Sequence, residues 1–162
     1  MATTALVNGW LRELAGVLNA PDLELDELGN AAFEFDGRIP IGVAAGDDSD
    51  VVHFYSKMMQ VPEEEEERLD LFDRLLKLNA FGAQTGGASF AVDETEDCVF
   101  LWFNVPVAGC DAKAFENTLG NFIEVAERHH ELLNTAPMDA GGDGYGDGAG
   151  PSGRAQEFFV RI

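Results

Sequence analysis

Eight residues in the middle of the chain, Cys98-Val-Phe-Leu-Trp-Phe-Asn-Val105, are apolar at every position except Asn104. A strand with one wet face alternates polar and apolar side chains, and this run does not. Both of its faces therefore need cover, and the question is what covers the second. The chain has 162 residues, which points to one domain, and a domain near that size buries about 68–70% of its extended surface. Covering both faces of so apolar a strand strains the material available, and this one constraint directs the rest of the reading.

Upstream of it, residues Thr3 to Asn19 have a helical period: Leu6, Trp10, Leu14, Val17 and Leu18 form one stripe, widened by Val7 and Leu11. Thr3 or Thr4 is placed to cap its start, and Pro21 stops it. Ala31–Asp36 alternates, with Phe33 and Phe35 on one face. Gly37-Arg38 turns the chain, and Ile39, Ile41 and Val43 alternate again. After the turn Gly46–Asp50, Val52, Phe54 and Met58 share a face opposite His53, Tyr55 and Lys57. Short connections make these three strands an antiparallel meander.

Pro62 and the glutamates Glu63 to Glu67 open a second helix, with acidic residues suited to its positive N-terminal end. Leu69, Phe72 and Leu76 form one stripe on it, and Leu71, Leu75 and Leu78 form another, so it needs cover on two sides. Glycines at 82, 86 and 87 lead into a short strand around Phe90 and Val92. The turn Glu94–Asp97 returns the chain into the apolar run, which Pro106 ends. Asp111 then caps a third helix over Ala112–Thr135, with Phe115, Leu119, Phe122, Ile123, Ala126 and Leu133 on one stripe. The order α-βββ-α-ββ-α predicts an α+β domain, a twisted antiparallel sheet packed by helices, over residues 1–136. Residues 137–153 are so rich in glycine that they read as a flexible linker, and 154–162 as a separate apolar C-terminal segment. On such a tether, Phe158, Phe159, Val160 and Ile162 are expected to dock in a partner groove or on a second subunit.

Ten basic against thirty acidic residues give a formal charge of −20. That field repels nucleic acid and anionic membrane, and no apolar run reaches the ~20 residues of a membrane span. The start of the chain lacks the basic, apolar pattern of a signal peptide, and Cys98 and Cys110 are too few for a disulfide framework. A cytoplasmic protein with reduced thiols is expected, Cys98 being buried and inert; a cysteine pair is the alternative.

Chemistry is hard to find. No phosphate-binding glycine loop or Gly-x-Ser-x-Gly surround exists, and no histidine stands one helical turn from the neighbours His129 and His130. That pair reads as surface or rim residues. Asp47, Asp50 and His53 could serve a metal site or a small hydrolase, although acidic turns are usually only turns. The expectation is a protein that is not an enzyme and carries no cofactor or metal.

Four segments resemble the class I type III secretion chaperones of the Tir chaperone (CesT-like) family. Leu75-Leu76-Lys77-Leu78-Asn79 resembles the family's Leu-Leu-x-x-Asn helix end, and Thr85–Asp93 its glycine-led strand ending in aspartate. Val99–Phe103 with Val105-Pro106 resembles its apolar strand closed by proline, and Phe115, Leu119, Phe122 and Ala126 match the spacing of its last helix. The resemblance runs from Thr3 to Thr135. His129-His130 stand where the family often has tryptophan, and the glycine-rich tail is not a usual family feature.

What the resemblance implies is an ATP-independent homodimer in the bacterial cytoplasm. It would bind the extended N-terminal region of a secreted effector and present it to the export apparatus. The implied client-binding residues are Trp10, Leu14, Phe33, Phe35, Ile39, Ile41 and Phe54, and the implied dimer interface is Leu71, Leu75, Leu78, Phe100 and Trp102. The alternative is a chaperone-like regulatory module that binds protein outside type III secretion.

Overall fold

A computed structural model describes residues 2–18, 20 and 22–135. The linker and the C-terminal residues Phe158, Phe159, Val160 and Ile162 lie outside the described residues. The elements are α1 (Thr3–Ala15), β1 (Asn30–Phe35), β2 (Ile39–Ala45), β3 (Val51–Gln60), α2 (Glu65–Leu78), a 3-10 turn (Ala80–Gly82), β4 (Ser89–Asp93), β5 (Cys98–Pro106) and α3 (Ala112–Thr135). The expected α-βββ-α-ββ-α order is the observed one.

The five strands form a single antiparallel sheet in the order β1-β2-β3-β5-β4. The β1–β2 hairpin turns at Asp36-Gly37, both with positive φ, and the Arg38 amide donates to the Phe35 carbonyl at 3.1 Å. Two consecutive positive φ values match the twist of the flanking strands, and Asp-Gly tolerates them. The apolar run becomes β5, an interior strand between β3 and β4.

One face of the sheet carries Ile39, Ile41, Val43, Val52, Phe54, Met58, Val99 and Leu101, all buried, together with β4's Phe90. All three helices contribute to the same core: Val7, Trp10, Leu11 and Leu14 from α1, Leu71, Leu75 and Leu78 from α2, and the whole expected stripe of α3. The opposite face, with His53, Tyr55, Lys57, Phe100 and Trp102, contributes nothing to that core.

The helix ends correct one local expectation. Neither Thr3 nor Thr4 caps α1; the N-cap is Ala2, which has no side-chain oxygen to offer. Asp47, from the turn between β2 and β3, accepts from the Thr4 amide at 2.9 Å and from its hydroxyl at 2.6 Å. Those bonds hold the Asp47 carboxyl below its usual range. The cap is long-range, so it also fastens α1 to the meander. α1 ends at Ala15, short of the expected Asn19. At α3, by contrast, Asp111 accepts from the Ala114 amide at 2.8 Å, as its sequence position predicts.

Candidate protein-binding surface

The residues expected to receive a client are mostly inside. Trp10, Leu14, Ile39, Ile41 and Phe54 are buried in this chain's own core. The reason is α3, which packs across β2 and β3. Its Phe115 ring sits 5.0 Å from Trp10 and 5.3 Å from Phe54, and its Phe122 sits 5.9 Å from Phe54. Only Phe33 and Phe35 stay half-buried, on the edge strand β1. Among the described residues, no strand lies beyond the outer edge of β1. Arg38, at 3.4 Å from Glu127, ties the hairpin to α3 beside it.

Both stripes of α2 are present, one buried and one largely exposed. Leu71, Leu75 and Leu78, the expected interface residues, face inward at 2–7% exposure. Leu69 and Leu76 are 61% and 72% exposed, with Phe72 half-buried between them. Two ties fix this rotation of the helix. The Arg74 guanidinium donates to the Leu132 carbonyl on α3 at 2.9 Å. At the C-terminal end, Asn79 donates to the Phe90 carbonyl at 3.1 Å and accepts from the Phe90 amide at 2.7 Å. Its amide thus pairs with β4 as a strand neighbour would, and this is what the asparagine of the Leu-Leu-x-x-Asn pattern does here. Two residues on, Phe81 is held at a φ of 57° with its ring fully exposed. A bulky residue in the left-handed region is strained, and among the described residues no burial compensates it. Sequence periodicity carried no signal for Phe81.

Phe100 and Trp102, the other two expected interface residues, do present surface. They lie on the open sheet face, Phe100 half-buried and Trp102 37% exposed. Neighbouring rings give partial cover. Tyr55 meets Phe100 edge-on at 6.1 Å, His53 lies 6.5 Å from Trp102, and His53 Nδ1 is 2.6 Å from Asn104 Oδ1. The Tyr55 ring rests over Gly42, where any Cβ would come within 2.1 Å of it. Burial pushes the Tyr55 hydroxyl above its usual range, with a smaller contribution from Asp26. The second face of β5 is thus covered partly by rings of its own sheet.

A further opening lies between the end of α1 and the middle of α3. It is a groove of about 330 Å³ lined by Leu14, Val17 and Leu18 on one side and by Leu119, Gly120 and Ile123 on the other, with Glu116 and Glu124 at its margin.

The remaining candidate groups are occupied structurally. Asp47 is taken up by α1, and among the described residues no group of three or more His, Cys, Asp or Glu could hold a metal ion. Cys98 is fully buried, and burial raises its thiol. His129 is not the surface or rim residue expected: it is 2% exposed, its Nδ1 lies 2.9 Å from the Val125 carbonyl, and its ring meets Phe90 edge-on at 5.4 Å. Burial holds its pKa below the usual value, and the charges of Arg128 and Arg74 add to this. His130 is partly exposed. Among the described residues, no helix is long and apolar enough to cross a membrane.

A three-helix layer on one face of an antiparallel sheet, with apolar side chains kept on an outer helix stripe and a partly bare sheet face, defines a protein-binding scaffold. The model of the Tir chaperone protein (CesT) family matches residues 9–129, and the chain belongs to that family. No curated protein matches the sequence significantly. Among solved structures, the ExsC–ExsE complex gives a TM-score of 0.70 at 27% identity, covering 85% of this chain and 100% of that one. The HopA1–SchA chaperone–effector complex gives 0.63 at 11% identity, covering 79% and 95%. The heterodimeric ExoU–SpcU complex from the type III secretion system of Pseudomonas aeruginosa gives 0.57 at 16% identity, covering 78% and 93%. The last two show a shared fold.

Proposed function

We propose that this protein is a dimeric, ATP-independent chaperone of the bacterial cytoplasm. It binds an extended N-terminal segment of a secreted effector and delivers it to the export apparatus. The observation that carries the reading is apolar surface left outside a closed core, on a family member similar over its length to a chain of the ExsC–ExsE complex.

Leu69, Phe72 and Leu76 stand at the three- and four-residue spacing of a helix–helix seam, and we assign this stripe, with Phe81, to a second copy of the chain. The stripe replaces Leu71, Leu75 and Leu78, which have no free surface to offer. Phe100 and Trp102 remain in the proposed interface. A standard interface of about 800 Å² per partner is enough to hold such a pair. The client meets the other half of the molecule. An extended segment adds to the free edge of β1, gaining backbone hydrogen bonds, and sets its side chains beside Phe33 and Phe35. The net charge of −20 favours clients with basic segments and keeps the complex soluble.

Two measurements test this. Light scattering at micromolar concentration is expected to give twice the chain mass; a monomer there overturns the dimer. Co-expression with the product of a neighbouring gene is expected to yield a stable complex, lost when Phe33 and Phe35 are both changed to Asp. Failure to form a complex with any neighbouring product overturns the effector reading.

A further inference from the structure

The α1–α3 groove contains a residue that its helix does not favour. Gly120 sits in the middle of α3, exposed, and lines the groove. Glycine inside a helix is less stable than alanine by roughly 0.5–1 kcal/mol. A Cβ added there would meet nothing within 4 Å, so no crowding inside the described residues accounts for it. Across the groove Val17 is 71% exposed, an apolar side chain with nothing packed over it.

We infer that the groove is the docking site of this chain's own C-terminal segment, Glu157-Phe158-Phe159-Val160-Arg161-Ile162. Three observations select that occupant. The segment is apolar, matching Leu14, Val17, Leu18, Leu119 and Ile123. It carries Arg161 and follows closely on Arg154, two of only ten basic residues in the chain, and the groove is lined by Glu124 and by Glu116, the latter already 2.8 Å from Lys113. Its tether has the right length. From the end of α3 at Thr135 back to Gly120 is about 22 Å at 1.5 Å per residue. A glycine-rich stretch the length of residues 136–153 has a root-mean-square span of about 25 Å. A linker matched to its span gives an effective concentration on the order of millimolar. A segment with an intrinsic Kd of about 100 µM would then be docked about ten times as often as free. The C-terminus acts as a tethered occupant of a surface next to the proposed client-binding edge.

The test uses amide NMR spectra of the full chain against the full chain carrying Phe158→Asp and Phe159→Asp. Docking predicts shifts concentrated at Val17, Leu18, Gly120, Asn121 and Glu124, unchanged on tenfold dilution. Gly120→Gln, which fills the groove without a clash, should displace the segment and leave the circular dichroism of the fold unchanged. A synthetic peptide of residues 154–162, added to the Asp-substituted chain, should return the groove resonances to their wild-type positions. No change at the groove overturns the inference. So do changes centred on Tyr55 and Trp102, or changes that vanish on dilution, which would mean docking on the open sheet face or on a second copy.

Discussion

The two apolar stripes of α2 have similar composition and opposite fates. Leu71, Leu75 and Leu78 are sealed in the core, while Leu69 and Leu76 look outward and Phe72 sits half-buried at the core's edge. Nothing in the helix itself distinguishes them. The choice is made by Arg74 reaching the Leu132 carbonyl and by Asn79 clasping the backbone of Phe90. The helix therefore keeps apolar side chains both inside the core and outside it, and polar side chains hold it in that rotation. The faces of the sheet repeat the lesson: Leu101 is fully buried, whereas its neighbour Trp102 keeps more than a third of its surface.

The sharpest way to break this comparison is to truncate one leucine from each stripe. Leu71→Ala should cost about 2–5 kcal/mol through lost burial and a residual cavity, a large drop in Tm. Leu76→Ala should change the stability of a monomer by no more than about 0.5 kcal/mol. Equal losses would mean that both stripes are buried in the working protein. Replacing Leu69 and Leu76 together by Asp should halve the mass seen by light scattering while circular dichroism stays constant, because a charge is tolerated in water but not in an apolar seam. A dimer that survives this change moves the interface elsewhere.

Asn79→Leu leaves the amide and carbonyl of Phe90 without partners and should cost about 1–3 kcal/mol in denaturant unfolding. Asn79→Asp should restore one of the two bonds, and with it part of the loss.

His129 gives the pH dependence. Its folded pKa lies below its ordinary value because burial opposes the charged ring. The unfolded chain therefore takes up this proton first, and stability present above about pH 6.5 is lost as pH falls below it. His129→Gln should narrow its Tm difference from the wild type between pH 7 and pH 5; a constant difference would mean that His129 does not titrate differently on folding. Asp47→Ala should give the smallest effect, a slight fall in Tm with earlier hydrogen exchange in the first turn of α1. If exchange rises no more there than elsewhere, the long-range cap contributes nothing.

Sequence alone determined the order of elements, a hairpin turn at Gly37 centred one residue late at Gly37-Arg38, the Asp111 cap and span of α3, and the two-sided demand of α2 and β5. These are local properties, set by periodicity, turn chemistry and caps over a few consecutive residues. It also carried the family, because spaced packing residues from Leu75 to Ala126 survive as a pattern. Tertiary structure decided which apolar residues are spent on the core. Trp10, Ile39, Ile41 and Phe54 looked available as long as α3 had no place, and α3's position depends on contacts between residues far apart in the chain. The same holds for Asp47 capping a helix from another hairpin, for the burial of His129, and for the exposed ring of Phe81. A periodic pattern says that a face is apolar; only the packed neighbours determine whether that face is already full.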